Sequence, residues 1–325
     1  MVEEILGNIY KIEIPILNNS LASLNSYVIK AQGRNLIIDT GLNKAECMNA
    51  MQAGLRELEV DIRDTDIFVT HLHPDHLGLA SKLAADTTIV YFNESEADWV
   101  KSGFHLDDFI NFFRLNGFPE NELQTIPYSL YSLPGFKFRP KRNLDFYILK
   151  EGNTISIGDY VFKGVETPGH TKGHMCLYEP NKKILVAGDH ILNEITPTIQ
   201  LWSDEWNPLK QYLASLEKVY ELEIELVLPG HGGIFKNCKE RIQELKHHHQ
   251  KRLDEVISIL EKANKTAFQV ASEMSWDIIC NSWDLFPVTQ KWFATGEAIA
   301  HLKYLEEKGI IHKQIKEQKA VYSLN

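Results

Sequence analysis

The sequence predicts a layered α/β sandwich, on two observations. Apolar strand-like runs alternate with amphipathic helical stretches over the first 95 residues, which favours sheets covered by helices over an all-β or all-α fold. The chain is 325 residues long, 44% hydrophobic and 24% charged, enough to bury a sizeable core without disulfides.

In chain order, IYKIEIP and NSYVIKA are β-rich, and Gly33-Arg34 turns the chain into NLIIDTG. Asn43 opens KAECMNAMQAGLREL, whose apolar residues recur at helical spacing. A strand IFVT, a helix from about Asp75 and a strand TTIVYF continue the alternation. Residues 95–148 interrupt it with Trp99, Phe104, Phe109, Phe112, Phe113, Phe118, Tyr128, Tyr131, Phe136 and Phe138. This insertion reads either as a helical excursion with its own small core or as a wall over a site. FYILKEG resumes the β-structure, followed by hairpins at Gly158-Asp159 and Asn181-Lys182. PLKQYLASLEKVYEL is a helix leading into the strand LVLPG, and residues 236–265 are a charged connecting helix. From residue 266 a short helix, a longer helix ending at Gly309 and a hairpin closing at Glu317-Gln318-Lys319 follow. Helix, helix, hairpin is the pattern of a winged-helix unit.

Charge and cysteine usage narrow the function classes. The balance of 34 basic against 44 acidic side chains, −10, argues against a generic polyanion binder. No apolar run approaches the ~20 residues that cross a bilayer, and MVEEILGNIYKIEI lacks a basic start followed by an apolar core. Cys47, Cys176, Cys238 and Cys280 form no CxxC pair and read as free thiols in a reducing cytoplasm.

Thirteen histidines need an explanation. His247, His248 and His249 form a run that reads as a solvated helix face, and His105, His301 and His312 read as isolated residues. The remaining seven follow strand-like runs: His71, His73 and His76 after IFVT, His170 and His174 after YVFKGVET, His190 after KILVA and His231 after LVLPG. Side chains at strand ends sit on a rigid scaffold and converge at one sheet edge.

THLHPDHLG concentrates four potential ligands, His71, His73, Asp75 and His76, on one strand-to-helix turn, a specific pattern where a lone HxH is a weak one. TPGHTKGH adds His170, GDH adds Asp189 and PGHG adds His231, each beside glycine, which lets backbone approach a crowded centre. An all-nitrogen-and-oxygen set without cysteine suits a catalytic metal site more than a structural one. THLHPDHLG alone leaves one metal short of a ligand and a second metal short of several, which His170, Asp189 and His231 can supply. Asp75 is the natural proton acceptor if it is not committed to a metal.

These motifs, with Asp39-Thr40-Gly41, resemble the metallo-β-lactamase superfamily over about residues 1–235. The resemblance implies a four-layered αβ/βα sandwich as the catalytic domain, with a small winged-helix-like domain over 266–325. It further implies that His71, His73 and His170 bind a first divalent ion. Asp75, His76 and His231 would bind a second, with Asp189 between the two. Two such cations ~3.5–4 Å apart can share a water and make it hydroxide near neutral pH, poised to attack a carbonyl or phosphorus without a Ser or Cys nucleophile. By the same resemblance His174 and His190 are pocket or ligand-supporting residues and Asp39 a buried carboxylate orienting ligands. A carboxylate rather than a cysteine at 189 is similar to glyoxalase-II-like branches. Zinc is the expected metal, although the same ligands suit iron or manganese.

The expected activity is hydrolysis of a small carboxylic ester or thioester. Cleavage of RNA or another phosphodiester is the alternative, because winged-helix tails accompany some superfamily hydrolases, including an endoribonuclease branch. A nucleic-acid-binding protein with a vestigial site is the third reading. The 266–325 segment carries six Lys and no Arg against seven Asp and Glu, which gives phosphates little attraction. A packing or dimerisation module is the plainer role for it.

Overall fold

In the computed structural model, residues 2–17, 21–103, 105–125, 144–201, 203–277, 280 and 282–325 are described. Phe104, Tyr128, Tyr131, Phe136 and Phe138 of the aromatic insertion lie outside them. The chain divides into two compact units. Residues 1–103, 134–197 and 215–242 form the first, and residues 104–133, 198–214 and 243–325 form the second.

The first unit contains two mixed sheets. Strands β1 (Val2–Leu6), β2 (Ile9–Pro15), β3 (Ser23–Ile29), β4 (Asn35–Ile38), β5 (Thr65–Phe68), β6 (Val90–Phe92) and β7 (Phe146–Ile148) lie in sequence order in a seven-stranded sheet. The pairs from β1 to β4 are antiparallel and those from β4 to β7 parallel. Strands β8 (Thr154–Ile157), β9 (Tyr160–Glu166), β10 (Met175–Glu179), β11 (Ile184–Gly188) and β12 (Leu226–Pro229) form a second sheet in reverse order, with only β11–β12 parallel.

Side-chain alternation explains the stacking. Tyr27, Ile29, Leu36, Ile38 and Phe68 of the first sheet share one core with Phe162, Leu177, Val186 and Leu228 of the second. Their neighbours Leu24, Val28, Ile37 and Ile67 point to the other face of the first sheet. There they meet Cys47, Met51 and Leu55 of helix α1 (Ala45–Glu57), one turn apart. Each such apolar side chain contributes about 1.5–3 kcal/mol when buried. Gly54 is required at the contact, because a Cβ there would meet Ile12 Cδ1 at 2.6 Å. Every residue of β10 and β11 is buried, as expected for strands covered on both faces.

Three short helices complete the first unit's site-bearing face: α2 (Pro74–Leu77), α3 (Ala80–Leu83) and α4 (Glu94–Ser102). Pro74 starts α2 at a position where its missing N–H costs nothing.

The second unit holds α5 (Leu106–Leu115), α6 (Glu120–Leu123), α9 (Ala267–Glu273), α10 (Val288–Glu307) and the hairpin β13 (Ile311–Lys316)–β14 (Lys319–Leu324). Two further helices, α7 (Pro208–Tyr220) and α8 (Cys238–Lys262), run across the division. Phe109, Phe113 and Phe118 of the insertion help build this unit's core. Phe109 and Phe113 pack on Trp292 with ring centroids 5.0 and 6.1 Å away, and Phe118 packs on Phe268 at 5.0 Å. Tyr322 donates to Asn116 Oδ1 at 3.1 Å, tying the final strand to the same segment. The compact units therefore interleave in sequence, where a contiguous reading put boundaries at 235 and 265.

Helix α9 carries a full capping box between Thr266 and Gln269. The hairpin turn has left-handed backbone at both Glu317 (φ 49°) and Gln318 (φ 63°), which lets a two-residue loop match the strand twist without glycine. The histidine run departs from expectation. His249 is 1% exposed and sits 3.2 Å from Nε2 of fully buried His301, so α8 buries this member of the run while His247 stays exposed. Among the described residues no helix is long and apolar enough to cross a membrane.

Candidate metal centre

The site lies in the first unit, on loops leaving β5, β9, β11 and β12. Strand β5 ends at Phe68, two residues earlier than IFVT suggests, so His71 and His73 lie on a loop. That loop still points both rings inward: His71 Nε2 and His73 Nδ1 are 3.0 Å apart, and His170 Nε2 is 3.0 Å from the same His73 nitrogen. Three imidazole nitrogens within 4.8 Å of one another form the donor set of a borderline divalent cation.

A second group stands beside the first. His76 Nε2 and His231 Nε2 are 3.3 Å apart, and Asp75 Oδ2 lies 3.4 Å from His231 Nε2. Asp189 faces both groups. Its Oδ1 is 3.5 Å from His76 Nε2, while Oδ2 is 3.5 Å from His231 Nε2 and 3.6 Å from His170 Nε2. Asp189 Oδ1 is buried with no hydrogen-bond partner, an expensive state for a carboxylate oxygen unless a cation meets it. The residues present therefore fit metal ions.

The surrounding residues fix each ring's free nitrogen. Asp39 Oδ2 accepts from His76 Nδ1 at 2.7 Å, leaving Nε2 to face the site. Ser23 O takes His231 Nδ1 at 2.7 Å, and Thr70 Oγ1 meets His71 Nδ1 at 3.0 Å. Asp39 also accepts from the N–H and hydroxyl of Thr70, both at 2.9 Å. Its own backbone is left-handed (φ 58°), a conformation Asp tolerates better than most residues. The Phe68 carbonyl and the Ser26 hydroxyl hold it there. Thr40 and Gly41 bond the His76 carbonyl and the Leu79 N–H, seating α2 on the Asp39 loop.

His174 and His190 stay outside the converging donor groups. Asp189 N–H donates to His174 Nε2 at 3.1 Å and His174 Nδ1 meets Thr167 Oγ1 at 2.8 Å, so this ring orients the Asp189 loop. His190 is fully buried, 6.0 Å from His174 between ring centroids. Glycine is needed at two approaches. A Cβ at Gly230 would meet Asp189 Oδ1 at 2.5 Å and His76 Cε1 at 2.9 Å, and one at Gly188 would meet His174 Nε2 at 2.8 Å.

Electrostatics separates the two groups. Burial, with repulsion from neighbouring rings, holds His71 well below the ordinary histidine range; burial, then His170, pushes His73 down to about 3. Neutral imidazole is the ligating form. Burial likewise depresses His174, and takes His190 to about 3. In the second group burial opposes charge on His76, but Asp39, Asp189 and Asp75 outweigh it and raise its pKa. Burial would raise Asp75 and Asp189, yet His76 and His231 bring Asp75 to about 2 and hold Asp189 well below the carboxylate range.

Several supporting residues escape motif reading. Asn25 Nδ2 donates to the carbonyls of Pro229 and Gly232 at 3.0 and 2.9 Å, and Tyr27 donates to Pro229 O at 2.8 Å, so β3 seats the PGHG loop. Glu96, inside the insertion range, is fully buried and accepts from Leu72 N–H at 2.7 Å and Gly173 N–H at 2.6 Å. Burial pushes its carboxyl up to about 7 against these donors. None of the three belongs to a spacing pattern, so only their placement reveals them.

Comparison with known proteins agrees with this geometry. Residues 22–231 match the family model described as the metallo-beta-lactamase superfamily. The chain is 26% identical over 305 residues to a Bacillus subtilis (strain 168) protein named "Probable metallo-hydrolase YqjP", covering 88% of each. It is 27% identical over 227 residues to human "Acyl-coenzyme A thioesterase MBLAC2", covering 65% of this chain and 74% of that one. The crystal structure of a metallo-beta-lactamase family protein from Thermus thermophilus superposes with a TM-score of 0.81 at 26% identity, over 98% of this chain and 99% of the other.

Proposed function

This chain belongs to the metallo-beta-lactamase superfamily, and from that premise we propose that it is a binuclear hydrolase of a small ester or thioester. The observation that carries the reading is Asp189, one carboxylate facing the His71–His73–His170 group and the Asp75–His76–His231 group together. His71, His73 and His170 would hold the first divalent ion and Asp75, His76 and His231 the second, with Asp189 shared; zinc is the metal we favour. When bound, the ions supply Lewis acidity, acidifying water toward neutral pH and stabilising negative charge that develops on a substrate oxygen.

The protein's own groups do the rest. Asp39, Thr70 and Ser23 fix the tautomers that present His76, His71 and His231. His174 holds the Asp189 backbone, and so the shared carboxylate, in place. Asp75, the most exposed of the site's carboxylates at 18%, is the group suited to receive a proton if it is not committed to the second ion.

Similarity to a protein named as an acyl-coenzyme A thioesterase supports the thioester class. An acidic chain with a −1 tail supports a small substrate over RNA. The helix–helix–hairpin order of α9, α10, β13 and β14 supports a winged-helix-like tail, which we read as a packing or dimerisation module. A glyoxalase-II-like ligand set and a cytoplasmic location complete the reading. One preparation should be screened against acyl-coenzyme A thioesters, lactones, phosphodiesters and short RNA. Turnover of thioesters or lactones with none of RNA supports the proposal, and turnover of phosphodiesters or RNA alone refutes it.

A further inference from the structure

Glu96 does something the ligand motifs do not describe. One oxygen accepts from the N–H of Leu72, the residue between His71 and His73. The other accepts from Gly173, three residues beyond His170 and next to His174. A single buried carboxylate thus joins the two loops that carry the three-imidazole group. A backbone bond from Met175 N–H to Thr70 O joins the same loops where they leave their strands, so the carboxylate provides the second fastening.

Gly173 shows that the approach is close. A Cβ at this position would meet Asn93 Oδ1 at 2.3 Å and Glu96 Cγ at 2.7 Å, so only glycine lets the start of α4 dock on the loop. Asn93 Oδ1 caps α4 through Ser95 N–H at 2.9 Å, which fixes Glu96 on the first turn. A carboxylate suits two converging N–H donors; an amide would turn its own NH₂ against one of them.

From this geometry we propose that Glu96 is a positioning residue that sets the spacing between the His71–His73 loop and the His170 loop, and through it the affinity of the three-imidazole site for its metal. The inference rests on the two-site reading above. The second group has fastenings of its own, Asp39 on His76 and Asn25 on the PGHG loop, so its affinity depends less on Glu96.

The test is zinc binding to the full chain by chelator competition, with metal content by elemental analysis, for the wild type, Glu96→Gln and Gly173→Ala. Wild type should give two binding phases. Glu96→Gln should weaken one phase by about 10–100-fold and the other far less, as expected for a residue supporting one set of ligands. If Glu96→Gln fails to fold, Gly173→Ala, whose Cβ would crowd Asn93 Oδ1 and Glu96 Cγ, should give the same selective loss. Two unchanged phases, or both weakened in parallel as by general loosening, overturn the positioning role. A wild-type protein that binds no metal overturns the two-site reading itself.

Discussion

Asp39 Oδ2 lies 2.7 Å from Nδ1 of His76, and both side chains are fully or almost fully buried. The contact leaves His76 Nε2 to face the candidate metal site, and Asp39 further accepts from the N–H and the hydroxyl of Thr70. Asp39→Asn keeps the size and tolerates the left-handed backbone but presents an amide to donors. The expected result is a loss of about 10–100-fold in affinity at the second metal position, read by chelator competition. Wild-type affinity would show that Asp39 orients nothing.

Gly230 tests the crowding of the centre without removing any ligand. The Cβ of Gly230→Ala would need the space of Asp189 Oδ1 and His76 Cε1. Metal content and hydrolysis should both fall while the far-UV circular dichroism stays that of wild type. A variant that retains full metal content would mean the two ligands can move aside.

The second unit should weaken in acid. Burial, with the neighbouring imidazole, pushes His249 well below the histidine range, and burial takes His301 to about 3. Unfolded, each takes up a proton near 6.5, which the folded state refuses, so their contribution is whole above that pH and is lost as pH falls below it. Burial raises Glu297 to about 7, which acts with the opposite sign as pH rises from the ordinary glutamate value of 4.5. Arg252 and Glu255 also face this cluster. Two histidines outweigh one glutamate, so urea midpoints should drop between about pH 7 and about pH 5. His249→Gln/His301→Gln should flatten or invert the slope; an unchanged slope refutes the assignment.

Much of the site was legible in the sequence because ligands cluster in short motifs at strand ends. His71, His73, Asp75, His76, His170, Asp189 and His231 meet in three overlapping donor groups. What escaped depends on contacts distant in sequence. Glu96 reaches loops 24 and 77 residues away. His249 looked solvated within its run because neighbours on a helix point different ways, and only packing against His301 decides which one is buried. The aromatic insertion was open between a core and a wall; Phe109, Phe113 and Phe118 are core of the second unit. The superfamily and the α/β sandwich were both readable from motif and alternation.

Asp189→Ala removes the carboxylate shared by both groups. Hydrolysis of whichever ester or thioester the wild type accepts should fall below detection, with the melting temperature of the metal-free protein little changed. Retained activity would exclude the shared role.

The two-site claim is tested most directly by counting metal in the purified, reconstituted wild-type chain by elemental analysis. The account predicts close to two transition-metal ions per chain, falling when His71 or His231 is replaced. A protein that remains metal-free after reconstitution with zinc, iron or manganese would contradict it.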